Sequence, residues 1–516
     1  MKSNAGISEE ISRITTYLVS EPAPSCPSAA CYNHGIPVSA GVRHYYAYGK
    51  ADSGSKRYKC RECGKTFSVA QRSTLRQRLP QKNLQVFKLL MNKVPFARIC
   101  EVTGISMQTL YDKLDFIHRQ ALAFAAKHER KLPELTAVQK HYIAVDRQEY
   151  SVNWSQRKDK RNVVLRAIGS ADLASGYVFG MHLNFDPGLD AVAVEADAAA
   201  CGDFAAQLPF RQYARLWLTP DYSKAISNTA KRMAKKPGRP PLTLGDEIAD
   251  AYTDSEARED VESPELLTTE ERFPTNGMQV KTEYTMYAHF YYLRQLFQHA
   301  DKVRFFLDQE SGIRAAVLAA FEQEIRTRHC DAFYVRLGKE LSVDEKRKVV
   351  AASRAAFKAV HDANPALTPA EVQVLMMKTE MARAAEIGKW SDRWLMHPAP
   401  NNAEPKKAIC YLTDYGDYGE DHLARLYLKA SLHPIDRFFM LIRRRLSLLE
   451  RPIGSASKVG RTWYGYSAYQ PENITKVLEV FRVFYNYCLA GKDGKTPAVR
   501  LGLVDRNIGM DQILSN

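Results

Sequence analysis

Residues 141–185, HYIAVDRQEYSVNWSQRKDKRNVVLRAIGSADLASGYVFGMHLNF, decide how the larger part of this 516-residue chain is interpreted. The segment HYIAVD is a short apolar strand that ends in Asp146. The segments RNVVLRAIG and SGYVFGMHLNF have the pattern of two further strands, joined through residues 170–176. The sequence therefore predicts three consecutive strands, with a carboxylate at the end of the first.

A second run, residues 284–337, supplies a helix, a strand, a helix and a strand in that order. Asp308 directly follows the apolar strand KVRFFL. Asp221, in YARLWLTPDYSK, is the alternative position for this acid, but we expect a basic run and then an acidic loop after it. We therefore favour Asp308 and keep Asp221 open.

A third acid is expected on a helix after the last of these strands, and Asp436 lies in the first turn of a helix that starts near Pro434. This order of elements is typical of a ribonuclease H-like sheet, which brings distant carboxylates together around two divalent metal ions. Asp146, Asp308 and Asp436 are thus the predicted catalytic residues, with Mg²⁺ or Mn²⁺ as cofactor. Each aspartate, taken alone, could equally be a cap or turn residue.

A run of cations follows the third acid and could flank a bound DNA strand: Arg443, Arg444 and Arg445, with Arg437 and Arg451. Glu450, Glu472 and Glu479 are fallback positions for the third acid, and the last two lie on the predicted helix PENITKVLEVFRVFYNYC.

Four cysteines near the N-terminus have the spacing of a metal site. Cys26 and Cys31 form a C-x4-C pair, and Cys60 and Cys63 form a C-x2-C pair in RYKCRECGKTF. Two thiolate pairs on two turns suit tetrahedral Zn²⁺, and a closed shell of four cysteines is structural rather than catalytic. His34 is a reserve ligand that could substitute for Cys31.

The same segment is rich in cations interleaved with tyrosines, which predicts a face for DNA phosphates; a merely solvated face is the alternative. The cations that we expect to contact DNA are Arg57, Lys59, Arg61 and Lys65.

Residues 81–120 contain three apolar-periodic stretches, interrupted at Val94-Pro95 and at residues 103–106. With Ser106 as an N-cap, this pattern predicts a helix-turn-helix whose second helix starts near Met107. We expect that helix to expose Gln108, Thr109, Asp112 and Lys113, of which Gln108, Thr109 and Lys113 are predicted to contact DNA in the major groove. A helical hairpin without DNA binding is the alternative.

The composition fits these predictions. Lys and Arg number 73 against 58 Asp and Glu, giving a formal charge of +15, and a chain this basic is expected to bind polyanions. No signal pattern and no apolar run of about 18 residues are present. We therefore expect a protein of the bacterial cytoplasm, associated with the nucleoid rather than a membrane, with its other five cysteines reduced.

We predict a multidomain α+β chain in six parts: an N-terminal arm (1–20), a zinc ribbon (21–78), a helix-turn-helix (79–131), the first part of a ribonuclease H-like α/β domain (138–337, with a loop insertion at 188–275), a mostly helical insertion (338–405), and the last part of that domain with the C-terminal tail (406–516). Within the loop insertion, residues 235–241 resemble a weak minor-groove motif, although a basic linker is the simpler interpretation, and residues 245–272 are expected to form a mobile acidic loop.

The residues quoted above resemble those of insertion-sequence transposases related to the insertion-sequence-one group. The resemblance covers about half of the chain: CPSAAC to RYKCRECGKTF, the helix-turn-helix, VDRQEYSVNW, and the stretch from IDRFFMLIRRRLSLLERP through YNYCLAGKDGKTPAVRLGL. It implies an Asp, Asp, Glu triad, of which Asp146 takes the first place and Asp436 the third, where this chain has Asp instead of Glu. The second place falls to Asp308 or Asp221.

The resemblance also implies a function. The ribbon and helix-turn-helix would recognise transposon-end DNA, and the acids would bind metal for strand cleavage and for strand transfer into target DNA, in a homo-oligomer assembled on DNA. The alternatives are a transposase-derived DNA-binding regulator with an inactive site, and a structural protein whose basic charge is incidental.

Overall fold

The structure is a computed structural model that describes residues 2–19, 24–51, 55–69, 74, 77–152, 161–235, 243–256, 267, 269, 271–338, 341–388, 390–450, 453–454, 462–463, 466, 468 and 470–515. Arg451 and residues 236–241 of the minor-groove motif lie outside this range.

The strands are β1 (Tyr45–Lys50), β2 (Lys56–Cys60), β3 (Thr66–Val69), β4 (Lys140–Val152), β5 (Val163–Asp172), β6 (Val178–Leu183), β7 (Phe185–Asp186), β8 (Met278–Gln279), β9 (Lys302–Asp308), β10 (Cys330–Leu337), β11 (Ala385–Ile387), β12 (Asp392–Met396), β13 (Lys407–Tyr411), β14 (Ile453–Gly454) and β15 (Thr462–Trp463). The helices are α1 (Asn4–Thr15), α2 (Asn83–Leu90), α3 (Phe96–Thr103), α4 (Met107–Glu129), α5 (Leu132–Leu135), α6 (Ala191–Ala200), α7 (Thr219–Lys235), α8 (Leu244–Glu256), α9 (Thr282–Leu296), α10 (Ser311–Ala320), α11 (Glu322–Arg326), α12 (Val343–Ala363), α13 (Pro369–Ala382), α14 (Glu420–Lys429), α15 (His433–Arg445), α16 (Pro471–Tyr487), α17 (Pro497–Leu501) and α18 (Met510–Leu514).

The chain divides into two compact units. The sheet unit comprises residues 1–14 and 131–507, and the ribbon–helix unit comprises residues 15–130 and 508–516. The fold is mixed α+β, and a cluster of four cysteines lies in the ribbon–helix unit.

An eight-stranded mixed sheet organises the sheet unit, in the order β11-β12-β13-β10-β9-β4-β5-β6. β4, β9 and β10 are parallel, whereas β5 is antiparallel to both β4 and β6. β13, β12 and β11 extend the sheet beyond β10 by antiparallel pairing. The three strands predicted within residues 141–185 are confirmed, as are the strands that end near Asp308 and Leu337.

Helices cover both faces of this sheet. Each strand alternates its side chains between the two faces, and successive apolar side chains of the central strands are buried, so both faces need to be covered. In β9, Phe305 packs against Phe290 of α9 with ring centroids 5.5 Å apart. The next residue, Phe306, packs against Phe333 of β10 at 5.7 Å. α15 packs on β4 and β5, whereas α9 packs on β5 and β6.

The ribbon–helix unit contains a three-stranded antiparallel sheet, β1-β2-β3, and the helices α2, α3 and α4, against which the short C-terminal helix α18 packs. α3 ends at Gly104, whose φ of +67° is a left-handed conformation that favours glycine. α4 begins after Ser106, whose hydroxyl accepts a hydrogen bond from the Thr109 backbone N–H. The N-cap predicted at Ser106 is therefore confirmed.

Two predictions on the insertions need correction. The acidic loop expected over residues 245–272 is wrong for α8, because Leu244, Ile248 and Tyr252 recur at helical spacing and are buried. The insertion at 338–405 carries α12 and α13 as expected, but it also holds β11 and β12, which are too short to give a strand pattern in the sequence. The arm of residues 1–20 likewise contains a helix, α1.

Candidate functional site

Asp146 and Asp308 lie at the same level on neighbouring parallel strands. The register pairs Val145 of β4 with Leu307 of β9, so each aspartate is the next residue along its strand. Side chains at matched positions of adjacent strands point to the same face of a sheet. The two carboxylates therefore share one face, at the carboxyl end of β9.

α15 brings Asp436 to the same face. Asp146 is paired with Gly169 of β5, and a Cβ built on Gly169 would lie 2.9 Å from Ile435 and 3.0 Å from Phe439. The helix thus rests directly on the face that Asp146 occupies, and Asp436 is in its first turn. All three aspartates are partly exposed.

The three carboxylates do not form a tight cluster. Among the described residues, the one group of three or more His, Cys, Asp or Glu whose ligand atoms all lie within 4.8 Å of one another consists of cysteines. Asp146 Oδ1 instead accepts a hydrogen bond of 2.6 Å from the Arg147 backbone N–H. The aspartates share a face, but within the part of the chain that the structure describes they do not belong to a group that could hold a metal ion.

Asp221, the alternative second acid, is engaged elsewhere. Both of its carboxylate oxygens accept from Arg211 Nη1 at 2.8 Å, and Lys281 Nζ lies 3.6 Å away. It lies in the first turn of α7, and the helix continues to Lys235, which is as far as this part of the chain is described. Its neighbour Tyr222 packs against Trp217 in a cluster of buried aromatic side chains. The β4–β9 register, which places Asp308 beside Asp146, does not include Asp221.

The fallback acids follow Asp436 in the chain and lie on or next to other elements. Glu472 and Glu479 lie on α16, which packs against β6, and they form ion pairs with Lys476 at 2.7 Å and with Arg482 at 3.1 Å. Glu450 follows a short 3-10 helix after α15.

The three predicted arginines have different surroundings. When the Gln148 side-chain amide is turned so that its oxygen faces Arg443, that oxygen accepts hydrogen bonds from Arg443 Nε at 3.1 Å and from Arg443 Nη2 at 3.2 Å. Arg443 is thus held over β4, two residues from Asp146. Arg444 is exposed, whereas the Arg445 guanidinium lies 5.6 Å from the centroid of the Phe484 ring.

The four predicted cysteine ligands form a compact cluster. Cys26 Sγ lies 3.4 Å from Cys63 Sγ, and Cys31 Sγ lies 3.7 Å from Cys60 Sγ. All four sulfur atoms are within 4.8 Å of one another, so the cluster could hold a metal ion such as Zn²⁺.

Hydrogen bonds shape the surroundings of these sulfurs. Burial opposes ionisation of Cys60, but hydrogen bonds from the Cys63 backbone and the Asn33 amide lower its pKa to about 6. Asn33 Nδ2 lies 3.3 Å from the sulfur. The reserve ligand His34 instead has its Nδ1 2.8 Å from the Cys26 carbonyl oxygen and is not part of the cluster.

The predicted DNA contacts on α4 are only partly accessible. Gln108 is exposed, and Thr109 is half-buried. The exposure predicted for Lys113 is wrong, because this side chain is 1% exposed. Its ammonium donates to the carbonyls of Arg78 and Leu79 and to Asn83 Oδ1, and burial lowers its pKa. Lys113 therefore stabilises the helices and does not face a ligand.

The cations of the ribbon lie beside tyrosines. Arg57 Cζ and Lys59 Nζ each lie 5.6 Å from the centroid of the Tyr48 ring. Arg61 Cζ lies 5.2 Å from the centroid of Tyr46. Lys65 Nζ donates to Ser28 Oγ at 3.2 Å. Of the tyrosines that the sequence interleaves with these cations, Tyr48 is exposed, whereas Tyr45 is 2% exposed and belongs to the core, as strand alternation could have indicated.

A cavity of about 550 Å³ lies on the opposite side of the large sheet, lined by side chains that include Tyr252, Arg314, Tyr334 and Trp390. Tyr334 is paired with Leu307, one residue before Asp308, so it points away from the three acids.

None of the described helices combines the length and the apolar character needed to cross a membrane. No protein-family model matches the chain, and no curated protein matches it in sequence.

Proposed function

We propose that this chain is an insertion-sequence transposase of the ribonuclease H-like type, which binds transposon ends and uses divalent metal ions to cleave and join DNA. The observation that carries the proposal is the β4–β9 register, which sets Asp146 beside Asp308 on one face of the sheet. α15 supplies Asp436 to that same face.

The strand order supports this assignment of the fold. Five strands run in the order β6-β5-β4-β9-β10, with β5 alone antiparallel to its neighbours. This is the arrangement expected when three consecutive strands are followed by two parallel crossovers. Asp146 on β4 and Asp308 on β9 are then on neighbouring strands in the middle of the sheet, although 161 positions separate them in sequence (308 minus 146, less one).

The three aspartates would hold two Mg²⁺ or Mn²⁺ ions, which polarise the phosphate and make bound water a better nucleophile. A water molecule attacks the phosphorus, the bond from phosphorus to the 3′ oxygen breaks, and a 3′ hydroxyl is released. That hydroxyl then attacks a phosphodiester of target DNA, so no covalent protein intermediate is needed. Arg443, held over β4 by Gln148, is placed to orient the bound strand.

The shorter Asp at the third position affects how closely α15 must pack on β4. Its side chain is shorter than that of Glu by one C–C bond of about 1.5 Å, so α15 must approach β4 closely for Asp436 to reach a shared ion. The absence of a Cβ at Gly169 permits that approach, since a Cβ there would lie only 2.9 Å from Ile435 and 3.0 Å from Phe439.

The test is cleavage of a linear duplex that carries the DNA flanking the chain's own gene, with Mn²⁺ or Mg²⁺ present. Asp146→Asn, Asp308→Asn and Asp436→Asn should each lower the cleavage rate on the order of a hundredfold or more, because each removes an anionic ligand of the metal ions that stabilise charge at the reacting phosphate. Asp301→Asn is the matched control: Asp301 precedes β9 at its other end and is half-exposed.

Retention of cleavage by Asp146→Asn would contradict the proposal. Loss in Asp221→Asn, with none in Asp308→Asn, would reassign the second acid.

A DNA-binding regulator without cleavage activity is the second candidate. It is favoured because, among the described residues, the three aspartates do not belong to a group of side chains that could hold a metal ion. It predicts salt-sensitive binding of the same duplex, no cleavage with either metal, and binding that is unchanged in all three Asp→Asn variants.

A further inference from the structure

The ribbon has one sheet face that differs in chemistry from the other. Alternation along β1 turns Tyr45 inward, where it is 2% exposed and packs against Phe67. Tyr46 and Tyr48 point the other way, and Tyr48 is 47% exposed. The two rings lie together on this face, with their centroids 6.4 Å apart.

Cations surround the outward tyrosines. Lys59 is the direct cross-strand partner of Tyr46, and Arg57 and Lys59 both lie 5.6 Å from the Tyr48 ring centroid. Arg61 lies 5.2 Å from the Tyr46 ring. On β3, the cross-strand partners of Lys59 and Arg57 are the small polar residues Thr66 and Ser68. β1, β2 and β3 contain no acidic residue.

We infer that this outward face of the ribbon, comprising Tyr46, Tyr48, Arg57, Lys59 and Arg61, binds single-stranded DNA by stacking unpaired bases on the tyrosines. The inference deepens the proposed function, since it names the form of DNA that this face would hold. Exposed aromatic rings on a small sheet, interspersed with cations, form the kind of surface on which a single strand places its bases while its phosphates contact the cations.

The aromatic rings favour a single strand over a duplex. In a duplex the faces of the bases are stacked on one another, so Tyr46 and Tyr48 could contact only edges and backbone. A site that binds duplex phosphates by charge alone needs the cations but has no use for the tyrosines. Strand cleavage and transfer at a transposon end expose unpaired bases, which a face of this kind could bind.

The experiment measures binding of the full-length protein to fluorescent oligodeoxythymidylate and to a mixed-sequence duplex of equal length, without added Mg²⁺ or Mn²⁺. Tyr48→Ala should weaken oligodeoxythymidylate binding on the order of tenfold and change duplex binding by less than about twofold. Tyr48→Phe keeps the ring and should bind as the wild type does. Tyr32→Ala is the matched control, because Tyr32 is 77% exposed in the same segment but lies outside the strands.

Zinc content of each variant reports whether the ribbon is intact. Arg57→Gln should weaken both kinds of DNA and reduce the salt dependence, as expected for a phosphate contact. The inference is overturned if Tyr48→Ala, with its zinc retained, binds oligodeoxythymidylate like the wild type, or if it loses affinity for both DNAs equally. Because metal-dependent cleavage plays no part in these measurements, a failure of the proposed catalysis would leave their outcome unchanged.

Discussion

The cysteine cluster and the aspartate face, which we propose as a second metal site, are assembled in different ways. The four cysteines come from 38 residues of chain (63 minus 26, plus one), and their sulfur atoms lie within 4.8 Å of one another. The aspartates span 291 residues (436 minus 146, plus one) and share a face without forming a cluster. One site is assembled by local turns, and the other by the register of a large sheet.

The chemistry of the ligands explains part of this difference. Thiols can be neutral, and the sulfur of Cys60 receives hydrogen bonds from Asn33 and from the backbone. Three ionised carboxylates repel one another, so they approach closely only when a cation compensates their charge. The cysteine site should therefore stabilise its fold through metal, whereas the aspartate site should depend on the sheet that carries it.

The largest expected effect is loss of the ribbon when a cysteine is replaced. Structural Zn²⁺ contributes on the order of 10–16 kcal/mol of apparent binding free energy in zinc-finger peptides, comparable to the whole stability of a domain. Cys60→Ser should abolish stoichiometric zinc binding and remove the unfolding transition of the ribbon in calorimetry, with that of the sheet unit retained. Cys201→Ser, at an exposed cysteine, is the control. Full zinc content in Cys60→Ser would show that the cluster is not a metal site.

An effect of intermediate size is expected at Gly169. A side chain there collides with Ile435 and Phe439, so Gly169→Ala should destabilise the sheet unit by about 1–3 kcal/mol and push α15 away from β4. Urea unfolding gives the destabilisation, and cleavage should fall because Asp436 moves with the helix. Gly419→Ala, where a Cβ meets no atom within 4 Å and φ is −61°, should change neither. A fully stable and active Gly169→Ala would disprove the close approach of α15.

The smallest expected effect is a pH dependence confined to the sheet unit. His182 and His289 are buried with their Nδ1 atoms 2.9 Å apart, and burial lowers the pKa of both, that of His289 to about 3. The unfolded chain, with an ordinary pKa near 6.5, binds protons more readily than the folded one, so stability falls as the pH drops below about 6.5.

Urea midpoints of the sheet unit at pH 7.5 and pH 5 measure this dependence. His289→Gln should show a smaller difference between the two midpoints than the wild type does, and the exposed His299→Gln should match the wild type. Identical midpoints for the wild type at the two pH values would refute the prediction.

The sequence predicted local features better than distant pairings. The cysteine pairs, the Ser106 cap and the strands of residues 141–185 each depend on neighbours within a few positions. β11 and β12 are only three and five residues long, and they are strands because β12 pairs with β13 and β11 pairs with β12. The pairing that brings Asp308 beside Asp146 depends on the whole sheet, so the elements that follow each residue could favour Asp308 over Asp221 but left both open.

Lys113 shows why the DNA-contacting face predicted for α4 was partly wrong. Position 113 shares a face with Leu110, Leu114 and Ile117, which are buried, so helical periodicity alone could have placed it inward. Its charge suggested a DNA contact instead. The carbonyls of Arg78 and Leu79 that satisfy its ammonium come from a segment that carries no sequence signal for this role.

The most direct test of the central claim, that Asp146 and Asp308 share a metal site, is Mn²⁺ binding followed by electron paramagnetic resonance in the absence of DNA. The account predicts that the wild type and Asp221→Asn bind Mn²⁺ alike, whereas Asp146→Asn and Asp308→Asn each weaken binding by tenfold or more, about 1.4 kcal/mol. Equal Mn²⁺ binding by the wild type, Asp146→Asn and Asp308→Asn would contradict it.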